Sequence, residues 1–452
     1  MIQKGEIETK AKEFDIKIAD VERDYVFGWF LKAVYENDYL SDLLILKGGN
    51  AFRKGYFPDT RFSLDLDFST QKALDLDLVQ KEINRACQQA GALSGISFDI
   101  ERNRLSEGRV IDNQKQVYKG QIYFRDFYGN ATTITISIRL DITEFDKLYL
   151  EPVKKSLIHP YSDVSECQAE IKCMALEELL ANKLKCLTQR RHSNDLYDLV
   201  YATFVAPPKD LDRRLVASTF LKKTIFEQSP SAAQAILLGI PLNYFKGIWN
   251  RYIVCPLESR FDFDTVEGVF KNTINSLFEQ FDVSRQISSF VKSEHRNPIL
   301  DAGLNRQLVK VGYGGVVRDI EPYALSYKRR RDGKAFEYFY GYDRTGGSSG
   351  PGIKAFLPFK IESVEATDIK FDPRFDIELG KAGESNGSSY FSSKSNRGYS
   401  RKSRRKFGVS RRLRDPFAQT FKVQCSACGK KFTRKTSDQK IRKHKTPVSV
   451  FI

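Results

Sequence analysis

Two aspartates stand two positions apart in RFSLDLDFS, residues 61–69. Phe62, Leu64, Leu66 and Phe68 alternate there with Ser63, Asp65, Asp67 and Ser69, the period-two pattern of a strand with one apolar and one polar face. A second run, TTITISIRLDIT, sets Ile134, Ile136, Ile138, Leu140 and Ile142 against Thr133, Thr135, Ser137, Arg139 and Asp141. If the two strands share a sheet, Asp65, Asp67 and Asp141 form a hard-oxygen site suited to Mg2+ or Mn2+. Such ions bridge carboxylates to substrate phosphates, one activating an attacking hydroxyl and the other stabilising a leaving pyrophosphate. Upstream, the apolar run Leu43–Leu46 meets Lys47-Gly48-Gly49-Asn50 and a helical pattern. Glycines at a strand-to-helix turn allow close backbone approach, and helix N–H groups there can face a triphosphate.

The elements that must hold these residues follow from periodicity. Val21–Leu40 reads as an amphipathic helix, and another helix is expected near Ala73–Ala92. Strands are expected around 96–101, 117–125 and 131–143. Glu170–Leu187 reads as helix with one apolar face, and helical patterns continue to about residue 293. From near Val316 to Leu379 the texture changes to short β-like runs with Gly and Pro turns. In that stretch Phe336, Tyr338, Tyr340 and Tyr342 recur at period two after an Asp332-Gly333 turn, giving an aromatic face.

The 452 residues are 41% hydrophobic and 12% aromatic, a globular composition with room for several domains. Seven cysteines, mostly isolated, suit a reducing compartment better than a disulfide framework. The charged amino terminus lacks the apolar segment of a secretory signal, and no stretch approaches a membrane span. The expectation is a cytoplasmic protein without membrane partners. Net charge is +16, but residues 381–452 hold 20 Lys/Arg against 3 Asp/Glu, leaving 53 and 54 for the rest. Attraction to phosphate backbones is therefore concentrated in the tail.

The stretch LKGGNAFRKGYFPDTRFSLDLDFS resembles the signature of the AbiEii/AbiGii toxin family of nucleotidyltransferase-like proteins: a Gly-Gly followed, across an R-x-S, by a D-x-D. The resemblance extends to Arg23-Asp24-Tyr25 and to LEELLANKLKCLTQRRHSNDLYDL, and covers roughly residues 15–290. It implies an α+β nucleotidyltransferase-like fold, a mixed sheet with helices and a helical C-terminal half, over a domain at 15–293. It also implies Asp65, Asp67 and Asp141 as metal ligands, and Gly48, Gly49, Asn50 and Ser63 lining a triphosphate pocket. Lys183, with Arg190 on the same helix, would face the nucleotide phosphates. Asp195 and Asp198 would orient the lysine or hold the base or acceptor; helix capping and ion pairing are the structural alternative. Asn50 stands where the family usually has a small hydroxyl residue, and Asn194 where an arginine commonly precedes the aspartate, here Asp195, so that part of the pocket is expected to have lost an ion pair. His192, beside two arginines, reads as solvated rather than as a base. The implied reaction is nucleotide transfer from an NTP, in some members onto the acceptor end of tRNA, with a possible antitoxin as protein partner.

Residues 312–380 resemble WYL-type domains, small SH3/Sm-like β-barrels that sense ligands or nucleic acid. The resemblance rests on Arg318, Glu321-Pro322-Tyr323 and Phe371-Asp372-Pro373-Arg374-Phe375, although the eponymous Trp-Tyr-Leu run is absent. Arg318, Lys328, Arg329 and Arg330 are candidate phosphate contacts there. Residues 381–415 form a basic Ser/Gly/Arg-rich linker, too poor in large apolar side chains to fold alone. Its Arg401, Lys402, Arg404, Arg405, Lys406, Arg411 and Arg412 are candidate nucleic-acid contacts, with Tyr390, Phe391 and Tyr399 available to stack on bases. In the zinc-finger-like module at 416–452, Cys425, Cys428 and His444 supply three of the four ligands that a structural Zn2+ site wants. The leading expectation is a metal-dependent nucleotidyltransferase of the toxin type acting on RNA. Its rivals are a regulatory, nucleic-acid- or ligand-sensing protein with an inactive transferase fold, and a metal-dependent nuclease that would not need the triphosphate pocket.

Overall fold

The computed structural model describes residues 2–108, 116–125, 135–281, 290–329, 335–379, 421–424 and 431–434. The chain divides into two compact units, Met1–Ser393 and Lys394–Ile452. The first opens with helices α1 (Lys4–Phe14), α2 (Ile18–Glu36) and α3 (Asp38–Leu43). Then come β1 (Ile45–Lys47), the short α4 (Gly48–Ala51), β2 (Asp65–Thr70), α5 (Leu76–Ser94), β3 (Arg104–Glu107), β4 (Val117–Arg125) and β5 (Thr135–Glu144). After β6 (Val153–Ser156) and β7 (Glu170–Cys173), the chain turns helical with α6 (Leu176–Gln189) and α7 (Ser193–Val200).

These strands form a seven-stranded mixed sheet in the order β3-β4-β5-β2-β1-β7-β6. β2 and β5 run parallel to one another, while β4 pairs antiparallel with β5 and β1 antiparallel with β2. Alternation decides what each face does. Leu66, Phe68, Ile138, Leu140, Ile142, Ile122 and Phe124 are buried in one core with Val26, Phe30 and Val34 of α2 and Val79, Ile83 and Ala86 of α5. Burying each such side chain contributes roughly 1.5–3 kcal/mol. A one-residue slip of either central strand would expose its apolar set, so the core also fixes which way the polar residues face.

Two sequence expectations change here. Residues 96–101 do not make a strand: Phe98 forms an isolated bridge to Phe124, and Ile100–Arg102 is a 3-10 turn. Glu170–Cys173 is strand, not helix, because it lies parallel to β1 and alternates burial, with Ile171 and Cys173 inward. The helix begins only at Leu176.

Helices α8 (Arg213–Lys223), α9 (Pro230–Leu238), α10 (Leu242–Lys246), α11 (Trp249–Tyr252) and α12 (Phe263–Phe278) complete the helical half, and their apolar faces join the same core. Next comes α13 (Ser293–Asn305), followed by β8 (Gln307–Tyr313), β9 (Val316–Arg329), β10 (Ala335–Asp343), β11 (Gly352–Phe356) and β12 (Ile361–Lys370). These strands make a five-stranded antiparallel sheet, β11-β10-β9-β8-β12, with Ile299 and Leu300 of α13 in its core. Among the described residues no ladder joins β11 to β12.

The aromatic face expected on β10 is not its most buried one. Glu337, Phe339 and Asp343 are fully buried, whereas Phe336, Tyr338 and Tyr342 are half-buried. Ion pairs make this possible: Arg296 of α13 meets Glu337, and Arg318 meets Asp343 at 2.8 Å. In the second unit, β13 (Phe421–Gln424) and β14 (Lys431–Arg434) pair antiparallel, with Val423 opposite Phe432. The expected zinc ligands Cys425, Cys428 and His444 lie outside the described residues. So do the basic run Arg401, Lys402, Arg404, Arg405, Lys406, Arg411 and Arg412, the aromatics Tyr390, Phe391 and Tyr399, and Arg330.

Candidate active site

The polar face of the seven-stranded sheet carries charge in rows. Asp67 is in register with Asp141 across the parallel β2–β5 pair, Lys119 lies opposite Asp141 and Lys47 opposite Asp67. Read across the sheet, the row is Lys119–Asp141–Asp67–Lys47. In the next row Asp65 pairs with Arg139, Arg139 with Gln121, and Gln121 with Arg104. All of these residues line one cleft of roughly 720 Å³. At the far end of the face, Lys47 Nζ donates to Asp146 (2.7 Å) and to Thr143 (3.0 Å), and Ser69 donates to the same Asp146 oxygen. Burial opposes the Asp146 charge, but Lys47 and Ser69 outweigh it and hold the carboxyl well below the usual carboxylate range.

The glycine turn is built against the acids. Gly48 has φ +68°, a left-handed conformation that glycine adopts without penalty. A Cβ there would lie 2.1 Å from Asp67 Oδ2, and one on Gly49 would lie 2.7 Å from Ser63 Oγ and 2.8 Å from an Arg61 nitrogen. Ser63 Oγ donates to Asp65 (3.1 Å). Asn50 is not brought to the cleft. It is fully buried, and its amide donates to the Asp65 main-chain carbonyl at 2.6 Å, supporting the strand from beneath.

A buried ion network faces the acids from α6 and α7. Lys183 contacts Asp195 (3.0 Å) and Asp198 (2.7 Å). Arg190 grips Asp195 through two nitrogens at 2.7 and 2.9 Å, and Arg61 grips Asp198 through two at 2.7 Å. Three cations thus share two carboxylates. Burial lowers the Lys183 pKa, but Asp198 and Asp195 more than restore it. Burial works equally against Asp195, yet Arg190 and Lys183 hold it far below the ordinary range. The ion pair expected to be lost with Asn194 is therefore supplied by Arg190. His192 lines the cleft and caps α7, its Nδ1 accepting from the Asn194 main-chain N–H at 3.2 Å.

The five-stranded sheet reaches the same cleft. Leu325, Asp376, Ile377 and Glu378 line it, and Asp376 pairs with Lys119. Gln189 donates to the Leu325 carbonyl (2.8 Å), and the Arg191 main-chain N–H donates to that of Leu379 (3.2 Å). Away from the cleft, Glu321 is fully buried under Arg344 and Arg374 and accepts from Tyr323, which packs edge-on against Phe371 and Phe375. Lys328 lies over the Tyr340 ring.

Among the described residues no three His, Cys, Asp or Glu side chains close into a ready-made metal cage. Magnesium does not require one, because it is commonly held by one or two carboxylates with substrate phosphates completing the shell. The in-register Asp67 and Asp141, with Asp65 on the same face, are donors of that kind. Sequence reasoning missed Arg61, Lys47, Lys119, Arg139 and Asp146. Arg61 and Lys47 carried a signal, standing inside the R-x-S and directly before the glycines. Lys119 and Asp146 are evident only once strand register is known.

Residues 29–243 match a protein family described as nucleotidyl transferase AbiEii toxin, type IV TA system. MenT4, a nucleotidyltransferase toxin from Mycobacterium tuberculosis H37Rv, is a structural neighbour at 15% identity, covering 61% of this chain and 90% of its own, with a TM-score of 0.36. Comparison with curated proteins gives no match. The family match spans the glycine turn, the acids and the α6–α7 network, and over those residues indicates a nucleotidyltransferase.

Proposed function

We infer that the protein is a toxin-type nucleotidyltransferase that moves a nucleotide from an NTP to an RNA acceptor, with tRNA the first candidate. The observation that carries the reading is the row Lys119–Asp141–Asp67–Lys47 inside one cleft, with the glycine turn against Asp67. Asp67 and Asp141, with Asp65, would hold a divalent cation, which supplies charge neutralisation at phosphate and a lower pKa for the attacking hydroxyl. Gly48 and Gly49 let the substrate's phosphates approach main-chain N–H groups, while Lys47, Arg139 and Lys119 add positive charge on the sheet side. Lys183 faces them from α6, and Arg190 from the residue that ends it. Arg61 is a positioning residue, tying the loop before β2 to Asp198 of α7 and so holding the acids opposite the lysine.

The five-stranded sheet is read as a sensor domain similar to WYL-type domains, and the basic tail as a docking arm for RNA, with Cys425, Cys428 and His444 as its zinc ligands. An antitoxin partner and a cytoplasmic location follow from the toxin reading. Among the described residues no helix is long and apolar enough to cross a membrane. The test is incubation of the full chain with labelled NTPs, Mg2+ and total tRNA. Transfer by wild type that falls at least a hundredfold in Asp67→Asn is expected. Absence of transfer, or equal transfer by the variant, overturns the reading.

A further inference from the structure

The polar face of the large sheet is not symmetric about its acids. On one side, at β1, stand Lys47 and the glycine turn; on the other the rows run out across β4 to the edge strand β3. There Lys119 is in register with Ser106 and Gln121 with Arg104, and all four line the cleft. β4 carries no acid, and Glu107, the one acid of β3, alternates to the opposite face with Leu105. Gln121 Oε1 accepts from Arg104 Nη2 (2.7 Å) and from the Tyr123 hydroxyl (2.8 Å), so what its amide offers a ligand is the NH2 group. Arg104 is exposed, and that bond engages one nitrogen of a guanidinium with five N–H donors. Asp376 reaches in from the second sheet to pair with Lys119. In-line displacement puts the attacking oxygen and the leaving group on opposite sides of the phosphorus. With the leaving phosphates at the glycine turn, attack comes from the β4–β3 side. Three neighbouring strands span about 10 Å, which is roughly two or three phosphates of a strand rising about 3.4 Å per nucleotide.

We propose that the β3–β4 wing, through Arg104 and Gln121, is the docking track for the phosphate backbone at the end of the acceptor strand. The inference rests on the nucleotide-transfer reading of the cleft and adds where the acceptor enters it. A polynucleotide fits better than a protein acceptor, whose side chains carry both signs, because β3 and β4 answer only negative charge on this face. Docking exchanges the Asp376 carboxylate on Lys119 for a phosphate. Arg104 and Gln121 act on the acceptor alone, whereas Lys47 and the glycine turn act on the NTP.

The test is steady-state transfer by the full chain with Mg2+, measuring KM separately for the NTP and for total tRNA over a series of salt concentrations. Arg104→Ala should raise the acceptor KM roughly two- to fivefold, the value of one exposed charge contact, and leave the NTP KM within about twofold of wild type. The slope of log(1/KM) for the acceptor against log salt should become shallower by about 0.7, one phosphate contact to a single strand. The basic tail is present in both proteins and cancels from the comparison. Arg104→Lys, which keeps the charge, should restore most of the slope. Gln121→Glu keeps an acceptor for Arg104 and Tyr123 but places a carboxylate on the track, so it should raise the acceptor KM roughly tenfold or more; its unchanged bonds guard against a folding defect. An acceptor KM and salt slope unchanged in Arg104→Ala and Gln121→Glu, an NTP KM that rises in step with the acceptor KM, or transfer onto protein instead of RNA, overturns the proposal while leaving nucleotide transfer standing. Absence of transfer to any acceptor by wild type overturns both.

Discussion

Replacing Gly48 by alanine tests whether the glycine turn is shaped by the acids it faces. At φ +68° an L side chain costs roughly 1–2 kcal/mol. The new Cβ would also lie 2.1 Å from Asp67 Oδ2 and 2.9 Å from Asp67 Cβ. Rotating the carboxylate relieves the first contact but not the second, so β1 and β2 must also part slightly. Overpacking of that kind costs about 1–3 kcal/mol, and together the two effects predict a loss of about 2–5 kcal/mol. Gly268→Ala provides the control. It lies within α12 with nothing within 4 Å of an added Cβ, and should gain about 0.5–1 kcal/mol from helix propensity. Denaturant unfolding of the three proteins measures the stability difference, and Mg2+-dependent nucleotide binding measures displacement of Asp67. If Gly48→Ala matched wild type in both, the close fit of turn to acid would be refuted.

Lys183→Met should destabilise by about 1–3 kcal/mol, less than the 3–5 expected when a buried charge is stranded, because Asp195 keeps Arg190 and Asp198 keeps Arg61. Asp198→Ala should be worse, since it strands Arg61 and leaves three cations with the one carboxylate of Asp195; denaturant midpoints in the reverse order would contradict the network. Asp146 gives a pH signature. Its folded-state pKa is depressed, so its contribution is complete above its unfolded value near 4 and fades as pH falls through the folded value. The stability gap between wild type and Asp146→Asn should therefore be about 1 kcal/mol at pH 7 and shrink by pH 3, and a pH-independent gap would exclude it. Asp376→Ala breaks a well-exposed ion pair, so stability should move by less than about 1 kcal/mol. Freed Lys119 should tighten tripolyphosphate binding a few-fold at low salt and less at high salt; no salt-dependent gain would show that Asp376 does not compete with anions.

Local alternation carried the most reliable information. The apolar–polar period around Asp65, Asp67 and Asp141 indicated which face would be buried, and pairing β2 beside β5 put Asp67 level with Asp141. What stayed hidden is set by contacts distant in sequence. Arg61 finds Asp198 across 137 positions, and nothing near either residue announces the pairing. Glu170–Cys173 reads as helix because it runs straight into one, and only its place between β1 and β6 makes it a strand. The acids buried in the second sheet were illegible for a related reason: Glu337 and Asp343 look like the solvated face of β10 until Arg296 and Arg318 arrive from α13 and β9.

Register also explains how the chain tolerates its acids before substrate arrives. Two carboxylates on neighbouring strands, about 5 Å apart, repel by about 1–3 kcal/mol at effective dielectric constants of 80 to 20. A cluster of acids alone would carry that repulsion unrelieved. Here Lys119 and Lys47 flank the Asp141–Asp67 pair within one row, and Arg139 stands beside Asp65 in the next, each supplying attraction of comparable size. The flanking cations are themselves partly engaged, Lys47 by Asp146 and Lys119 by Asp376. The face is thus near charge balance yet presents both signs separately: carboxylates at its centre, where a divalent cation fits, and cations at its edges, where phosphate oxygens fit. A nucleotide bound with its metal matches that alternation, while a bare anion or a bare cation satisfies only half of it. The same arrangement makes binding of the metal and of the phosphates mutually reinforcing, because each relieves the charge that the other leaves exposed.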